Sequence, residues 1–259
     1  MSGDPLELAI VAFLGLAIGS FLNVVIHRLP RRESLVSPGS RCPSCGYQLR
    51  AIDNIPIVSY LVLAGRCRKC RARISVRYPV VELVTAILFV LHYGVFGWTP
   101  LLAVRCLFAV SMVALFVIDL EHRLLPDAIT LPGIVVGLAA SLFLPPGLRD
   151  ALIGMIGGGG ALWGIGEAYY RYSGEEGMGG GDVKMLAMVG AFLGWQQVLI
   201  TLVFSSIAGA VIGLIVIAIK RGGMKYALPY GTFLAIAALI ASLYGEQIVR
   251  WYTGLYQYA

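Results

Sequence analysis

The residues with the clearest chemical potential are acids placed next to apolar segments. Asp182 follows Gly179, Gly180 and Gly181 and opens one apolar run, while Asp119 ends another. A charge in or beside hydrocarbon is costly and usually marks a functional site. Glycine has no side chain and lets a second backbone approach closely. The glycine–acid segment is therefore typical of an enzyme that cleaves peptides.

Asp119 and Asp182 are suited to act as a pair. Two carboxylates that share a site hold one proton between them, because both cannot ionise easily. The ionised one can activate water and the protonated one can polarise a carbonyl, which is aspartic-peptidase chemistry without a metal or a nucleophilic side chain. We predict Asp119 and Asp182 as catalytic residues, with Gly179–Gly181 and Asp127 in substrate-binding or supporting roles.

Each acid also has a purely structural interpretation. Asp182 and Asp127 precede predicted helices, where a carboxylate can accept hydrogen bonds from backbone N–H groups as an N-cap. For Asp127 the cap is favoured and the supporting role is the alternative. Asp119 lies at a predicted helix C-terminus, where an acid opposes the helix dipole. Its structural alternative is a salt bridge to Arg123, four residues later.

Four of the five cysteines form two Cys-x-x-Cys pairs, Cys42/Cys45 and Cys67/Cys70, separated by 21 residues. Four thiolates at this spacing are typical of a closed, tetrahedral zinc site with a structural role. Redox dithiols or disulfides are the alternative, which a cytoplasmic location disfavours. The surrounding segment is too small for a large core, so a metal would stabilise it.

The composition indicates a membrane protein. The 259 residues are 58% hydrophobic and 13% charged, with a mean hydropathy of +0.82, whereas soluble domains carry about 25% charged residues. The net charge of +6 is attributed to basic cytoplasmic loops beside anionic lipid headgroups. We expect membrane lipids, and no nucleic acid, as partners.

A spanning helix needs about 20 apolar residues, and eight segments approach that length. They are 6–26, 79–97, 101–118, 128–144, 151–170 (interrupted by Gly157–Gly160), two that divide 183–219 at a turn near Gly194, and 229–249. The predicted fold class is an all-α polytopic membrane protein with about eight transmembrane helices. The predicted domains are the first transmembrane helix (1–26), a cytoplasmic zinc domain (27–78) and a seven-helix membrane peptidase domain (79–259).

Lys and Arg are concentrated in cytoplasmic loops of membrane proteins, and this orients the predicted helices. Of the chain's 20 Lys and Arg residues, 17 lie in segments 27–78, 119–127, 171–184 and 220–228. Placing these segments in the cytoplasm also puts Asp119 and Asp182 at the cytoplasmic face.

The chain resembles the bacterial type IV prepilin peptidases, also called prepilin leader peptidase/N-methyltransferases, a family of GxGD membrane aspartic peptidases. The resemblance covers most of the chain and combines several motifs. These are GSFLNVVIHRLP at 19–30, both cysteine pairs, DNIP at 53–56, ISVRYP at 74–79 with Glu82, Asp119 through Asp127, and the Gly-x-Gly-Asp of Gly179–Asp182.

The resemblance implies an eight-helix enzyme of the bacterial inner (cytoplasmic) membrane. Such enzymes remove the short basic leader from type IV prepilins and pseudopilins on the cytoplasmic side, and many then methylate the new N-terminus with S-adenosylmethionine. It places the catalytic pair on Asp119 and Asp182 and links the cysteine loop to zinc and to methylation. The products would serve type IV pili or type II secretion.

Neither the site of S-adenosylmethionine nor the function is fixed by the sequence motifs alone. No glycine-rich nucleotide loop of the Rossmann kind follows a strand, so the residues that would hold S-adenosylmethionine are not predicted. A transporter or channel is the alternative function, because intramembrane acids and glycine-broken helices also mark ion pathways.

Overall fold

The computed structural model describes residues 4–175, 179–220 and 229–255. Over these ranges the regular structure is helical, with two 3₁₀ turns at Leu29–Arg31 and Ala51–Asn54 and two isolated β-bridges near the cysteines. The α-helices are α1 (Pro5–Arg28), α2 (Val58–Val62), α3 (Arg77–Phe96), α4 (Pro100–His122), α5 (Asp127–Ala140), α6 (Leu148–Ser173), α7 (Gly180–Leu193), α8 (Trp195–Lys220) and α9 (Tyr230–Leu255).

The helices indicate a multi-pass membrane protein. Among the described residues, α1, α3, α4, α8 and α9 are long and apolar enough to cross a membrane, and α5 is a shorter apolar helix. The all-helical fold class is thereby confirmed. The count of eight transmembrane helices stays a prediction.

The chain separates into two compact units, one that ends at Leu102 and one that begins at Ala103. In the first unit α1 packs along α3. Gly19 allows this close approach, because a Cβ there would lie 2.7 Å from the Cα of Glu82. The cysteine pairs lie in the segment between these two helices, and this segment is tied to α1 by hydrogen bonds from Arg28 and to α3 by a hydrogen bond to Glu82.

In the second unit, α7 is the central helix. It contacts α5, α6, α8 and α9, and its Phe192 ring lies 5.3 Å from the ring of Phe108 on α4. The last nine residues of α7 are almost all buried. Because a helix that is apolar all round belongs in a core, the apolar 185–193 segment accounts for this position. The acid at its first turn is thereby placed at one end of the core.

The predicted interruption at Gly157–Gly160 is wrong, because α6 runs without a break from Leu148 to Ser173. Glycines of α6 instead serve a close helix contact with α7. A Cβ built on Gly190 of α7 would lie 2.2 Å from the main-chain carbon of Gly154 on α6. The packing against α7 outweighs the low helix propensity of glycine.

The structure corrects the predicted end of α4 and confirms the predicted turn between α7 and α8. The helix that carries Asp119 continues to His122, so Asp119 lies one turn inside α4 and not at its end. The predicted turn near Gly194 is confirmed. It is a single residue with φ of +84°, after which α8 begins at Trp195.

Gly190→Ala should destabilise the second unit, because the new methyl group would overlap the backbone of α6. Overpacking of this kind lowers the free energy of unfolding by about 1–3 kcal/mol. Gly157→Ala is the matched control, since a Cβ there meets no atom within 4 Å. Thermal unfolding in detergent, followed by tryptophan fluorescence, measures both, and equal transition temperatures would show that the helix contact does not need glycine.

Candidate functional site

Asp119 lies against the start of a helix that is distant from it in the sequence. Its side chain is only 5% exposed, and Thr232 of α9 donates its backbone N–H to Asp119 Oδ2 at 2.9 Å. The backbone N–H of Gly231 also interacts with this carboxylate, and Arg123 adds a favourable charge interaction. Backbone N–H groups at a helix N-terminus stabilise an anion, so α9 provides a binding site for the charged form of Asp119.

Asp182 is the third residue of α7, and Gly179 is the N-cap. The N-cap interpretation of Asp182 is therefore wrong by three positions. Its carboxylate instead reaches back to the N–H of Gly179, as the acid of a capping box does. Asp182 is therefore held at the N-terminus of α7, the positive end of the helix dipole, before the buried apolar segment that begins at Met185.

Leu125 lies between the two acidic positions. A Cβ on Gly181, the neighbour of Asp182, would lie 2.9 Å from Leu125 Cβ, and one on Gly231 would lie 3.0 Å from Leu125 Cδ1 and 2.9 Å from Asp119 Oδ2. The Asp119 and Asp182 carboxyl groups interact electrostatically. The structure thus brings together two acids that are 63 positions apart in the chain.

The glycines before Asp182 leave open space on one side of the acid. Gly179 and Gly180 are exposed, and a Cβ on Gly180 would meet no atom within 4 Å. Gly181, in contrast, is packed on Leu125. Residues 176–178, which begin the glycine-rich segment, lie outside the described ranges.

Asp127 is the first residue of α5, and its N-cap is Pro126, so the N-cap interpretation of Asp127 is wrong. Its two carboxylate oxygens accept hydrogen bonds from Lys184 Nζ at 2.7 and 2.8 Å. Both side chains are about half exposed, and such ion pairs contribute little to stability. Its effect is geometric, because it joins the start of α5 to the first turn of α7.

Four residues around the acids were missed by sequence reasoning: Leu125, Lys184, Gly231 and Thr232. Only Gly231 carries a sequence signal, because a glycine in the first turn of a helix can indicate that another group approaches the backbone closely there. Leu125 carries no chemical signal, because an apolar residue in a short loop resembles any other. Its position becomes meaningful only when two helices pack on it.

The four cysteines of the loop lie together and fit a zinc ion. All four Sγ atoms are within 4.8 Å of one another, with Cys42–Cys70 at 3.8 Å and Cys45–Cys67 at 3.9 Å. A tetrahedral site with Zn–S bonds of about 2.3 Å has Sγ–Sγ edges of about 3.8 Å. All four thiols are free, so the donor set fits a metal and does not match the disulfide alternative.

The two cysteine pairs sit in turns of the same shape. Cys42 N–H donates to Tyr47 O at 2.8 Å, and Cys67 N–H donates to Ala72 O at 2.9 Å. The residue after each pair has a positive φ, at Gly46 in the first turn and at Arg71 in the second. This repeat presents two thiols from each turn to a common centre.

Asp53 connects the two turns. Its fully buried side chain accepts hydrogen bonds from Arg68 Nε at 2.6 Å, Arg50 N–H at 3.2 Å and Tyr47 Oη at 3.3 Å. Burial acts to raise the pKa of Asp53, but these hydrogen bonds and the charge of Arg68 outweigh it and hold the pKa below its usual range. The ionised carboxylate therefore fastens the Arg68 turn to the Tyr47 turn.

The comparisons with known proteins match both halves of the chain. A family described as "Bacterial Peptidase A24 N-terminal domain" matches residues 13–96, and one described as "Type IV leader peptidase family" matches residues 106–214. The chain is 41% identical to the prepilin leader peptidase/N-methyltransferase of Pseudomonas aeruginosa, over 97% of this chain and 96% of the relative. It is 43% identical to a protein of the same name from Aeromonas hydrophila, over 95% and 94% of the two chains. No solved structure matches the chain.

Asp53→Ala should weaken zinc retention, because it leaves Arg68 and the Arg50 N–H without their acceptor. The loss of buried hydrogen bonds lowers the free energy of unfolding by about 1–3 kcal/mol. Zinc should then be released at a roughly tenfold lower chelator concentration, and trypsin should cleave segment 27–78 faster.

The contribution of Asp53 also has a defined pH window. The folded state holds the pKa of Asp53 low. Its contribution to the stability of the loop is therefore present above the ordinary pKa of about 3.9 and is lost as the pH falls through the folded pKa.

The control for Asp53→Ala is Glu33→Ala, which removes an exposed acid of the same loop. Equal chelator midpoints for the two variants at neutral pH would exclude the role of Asp53.

Proposed function

The chain belongs to the type IV leader peptidase family, and from this we propose that it is an aspartic endopeptidase that removes the leader of prepilins and pseudopilins. We also propose that it methylates the new N-terminus with S-adenosylmethionine. The observation that carries the peptidase proposal is the electrostatically coupled pair of Asp119 and Asp182 on either side of Leu125.

Within this proposal, Asp119 is the ionised member of the pair and Asp182 holds the shared proton. Support comes from the hydrogen bonds to Asp119, which accepts from the first turn of α9. Hydrogen bonds to the charged form of an acid favour that form. A second negative charge beside it is disfavoured, so the proton belongs on Asp182.

The reaction then needs only water and the two acids. Asp119 takes a proton from the attacking water while the water oxygen adds to the scissile carbonyl carbon. Asp182 gives its proton to the carbonyl oxygen, which avoids a free oxyanion. The proton held by Asp119 passes to the leaving amine as the carbon–nitrogen bond breaks, and the carboxyl product re-protonates Asp182.

The glycines provide the space for the substrate backbone. Gly179 and Gly180 are exposed and no atom occupies the position of a Cβ on Gly180. An extended leader–helix junction can therefore approach Asp182 closely. Gly181 and Asp127 have supporting roles, since Gly181 packs on Leu125 and Asp127 holds Lys184, two residues after Asp182.

The cofactors have separate roles. Cys42, Cys45, Cys67 and Cys70 would hold zinc as a structural ion, because four thiolates leave no open coordination position. S-adenosylmethionine supplies an electrophilic methyl group when bound. In the domain division we propose, residues 27–78 form the zinc domain and residues 79–259 the membrane peptidase domain.

We place the enzyme in the bacterial inner membrane, with eight crossing helices and the acids facing the cytoplasm. Support comes from the apolar helices and from the basic segments on one side of the predicted topology. The 14 residues of α7 extend about 21 Å, less than the hydrocarbon thickness of about 30 Å. Asp182, at the start of α7, would then lie below the membrane surface, near the end of the hydrophobic segment of a pilin.

Asp119→Asn and Asp182→Asn should each abolish leader cleavage by the purified protein in detergent. An amide can neither accept the water proton nor donate the shared one, so cleavage should fall at least about 100-fold. Asp150→Asn, on α6 away from the pair, should cleave like the unmodified protein. Cleavage that survives in both dyad variants would refute the assignment. A requirement for a membrane gradient would favour a transporter instead.

Gly231→Ala should impair cleavage without unfolding the protein, because its methyl group would lie 2.9 Å from Asp119 Oδ2. A displacement of about 1 Å at a reacting group can lower kcat about 100-fold, and KM should change little. Gly254→Ala, on the same helix, is the control, since a Cβ there meets no atom within 4 Å. Equal kcat values for the two variants would show that the first turn of α9 does not position Asp119.

A further inference from the structure

A cavity of about 300 Å³ lies at the end of the second unit opposite the acid pair. Asp182 is in the first turn of α7, whereas the cavity is lined by Leu193 and Gly194 at the end of α7 and by the start of α8. Its volume is at the lower limit of small-molecule sites. The peptidase proposal assigns no role to this cavity.

Close packing of the chain fixes the walls of the cavity. Gly194, with a φ of +84°, forms the turn between α7 and α8, and a Cβ on it would lie 3.0 Å from Pro146 Cβ in the turn between α5 and α6. A Cβ on Gly245 of α9 would lie 2.9 Å from Gln197 Cγ of α8. The two turns and the end of α9 are therefore held against one another around the cavity.

Arg105 is a buried cation that lines the cavity. It is 7% exposed and belongs to α4, which is long and apolar enough to cross a membrane. A charge in such a helix is costly and usually marks a functional site. Its Nη1 donates to Phe192 O at 3.1 Å, among the last carbonyls of α7, which have no partner within their own helix. A guanidinium has five N–H donors, so Arg105 can cap α7 and also bind an anion.

The charged side chains of the lining balance one another. Arg105 and Arg250 are the cations, and Asp150 and Glu246 are the anions. Glu246 interacts electrostatically with Arg105 and forms an ion pair of 3.2 Å with Arg250 on α9. Binding sites match the charge distribution of their ligands. A lining with both charges and no net charge therefore favours a zwitterion over a simple anion or cation.

The position of the cavity fits a lipid headgroup. Three of the helices that can cross a membrane, α4, α8 and α9, contribute lining residues near one of their ends. Trp195 also lines the cavity and is 39% exposed, and tryptophan is enriched where a membrane meets water. Gln196 and Gln197 belong to the first turn of α8, where backbone N–H groups favour a phosphate.

We propose that this cavity binds the headgroup of a zwitterionic phospholipid with a primary ammonium group, such as phosphatidylethanolamine. Arg105 and Arg250 donate to the phosphate, and the carboxylates of Asp150 and Glu246 accept from the ammonium group. A choline headgroup has no N–H donor and is bound by cages of aromatic rings, whereas Trp195 is the one aromatic residue among the described residues of this lining. The inference is independent of the proposed peptidase function.

The test is lipid binding to the full-length protein in detergent, measured by native mass spectrometry with phosphatidylethanolamine, phosphatidylcholine and phosphatidylglycerol of the same acyl chains. The unmodified protein should bind phosphatidylethanolamine about tenfold more tightly than phosphatidylcholine, because only the first donates hydrogen bonds to the carboxylates. It should also bind phosphatidylethanolamine more tightly than phosphatidylglycerol, which carries no ammonium group.

Glu246→Gln should reverse this preference. It removes a charged acceptor, so the Kd for phosphatidylethanolamine should rise about tenfold, while the Kd for phosphatidylglycerol should fall because the lining becomes net positive. Glu167→Gln is the matched control, since Glu167 forms the same kind of ion pair with Arg171, four residues later and 2.8 Å away, outside the cavity. It should leave both Kd values unchanged.

The opposite shifts for the two headgroups separate recognition from loss of folding, which would weaken the binding of every lipid. Equal affinities of the unmodified protein for the three lipids would overturn the proposal. Equal effects of Glu246→Gln and Glu167→Gln, or weaker binding of both lipids by Glu246→Gln, would overturn it as well. Displacement of the bound lipid by an equal concentration of soluble glycerophosphoethanolamine would assign the cavity to a soluble zwitterion and refute the lipid.

Discussion

The hydrogen bonds between the Asp119 carboxylate and the first turn of α9 are the interaction on which the second unit depends. A carboxylate at the depth of a membrane helix costs about 2.5–3.5 kcal/mol on insertion scales. Charge-assisted bonds from backbone N–H groups, together with the helix dipole, offset that cost. This requirement places the start of α9 beside the last turn of α4. Leu125 then packs where α7 and α9 begin.

The second constraint is the burial of α7. The 14 residues of α7 contact α4, α5, α6, α8 and α9. Neighbouring helices must therefore lie close to α7, and Gly154 and Gly190 allow the backbones of α6 and α7 to meet. The acid on α7 is thereby fixed by a packed core and not by a loop. Sites on rigid elements hold their geometry better than sites on loops. The exposed Gly179 and Gly180 leave open space before Asp182.

The cysteine loop of the first unit is stabilised differently from the helical core of the second unit. The cysteine loop buries few of its apolar side chains, so the cluster of four thiols and the buried Asp53 carboxylate take the place of a hydrophobic core. The loop lies against the last three turns of α1, where the two enclose a cavity lined mainly by apolar residues.

The sequence by itself predicted the helical membrane class, a cluster of four cysteines that could hold a metal and the two acids Asp119 and Asp182, because composition, spacing and charge beside apolar runs are local signals. It failed where the cause is tertiary. The sequence predicts a break at Gly157–Gly160, although α6 is continuous there and Gly158 and Gly159 face α7. For Asp119 the sequence offers Arg123, four positions on, as a charge partner, but it gives no sign of the backbone donor Thr232, which lies 113 positions away. Such contacts form only when the helices pack. A buried carboxylate needs hydrogen-bond donors, and helix packing decides which donors lie beside it, however distant they are in the sequence.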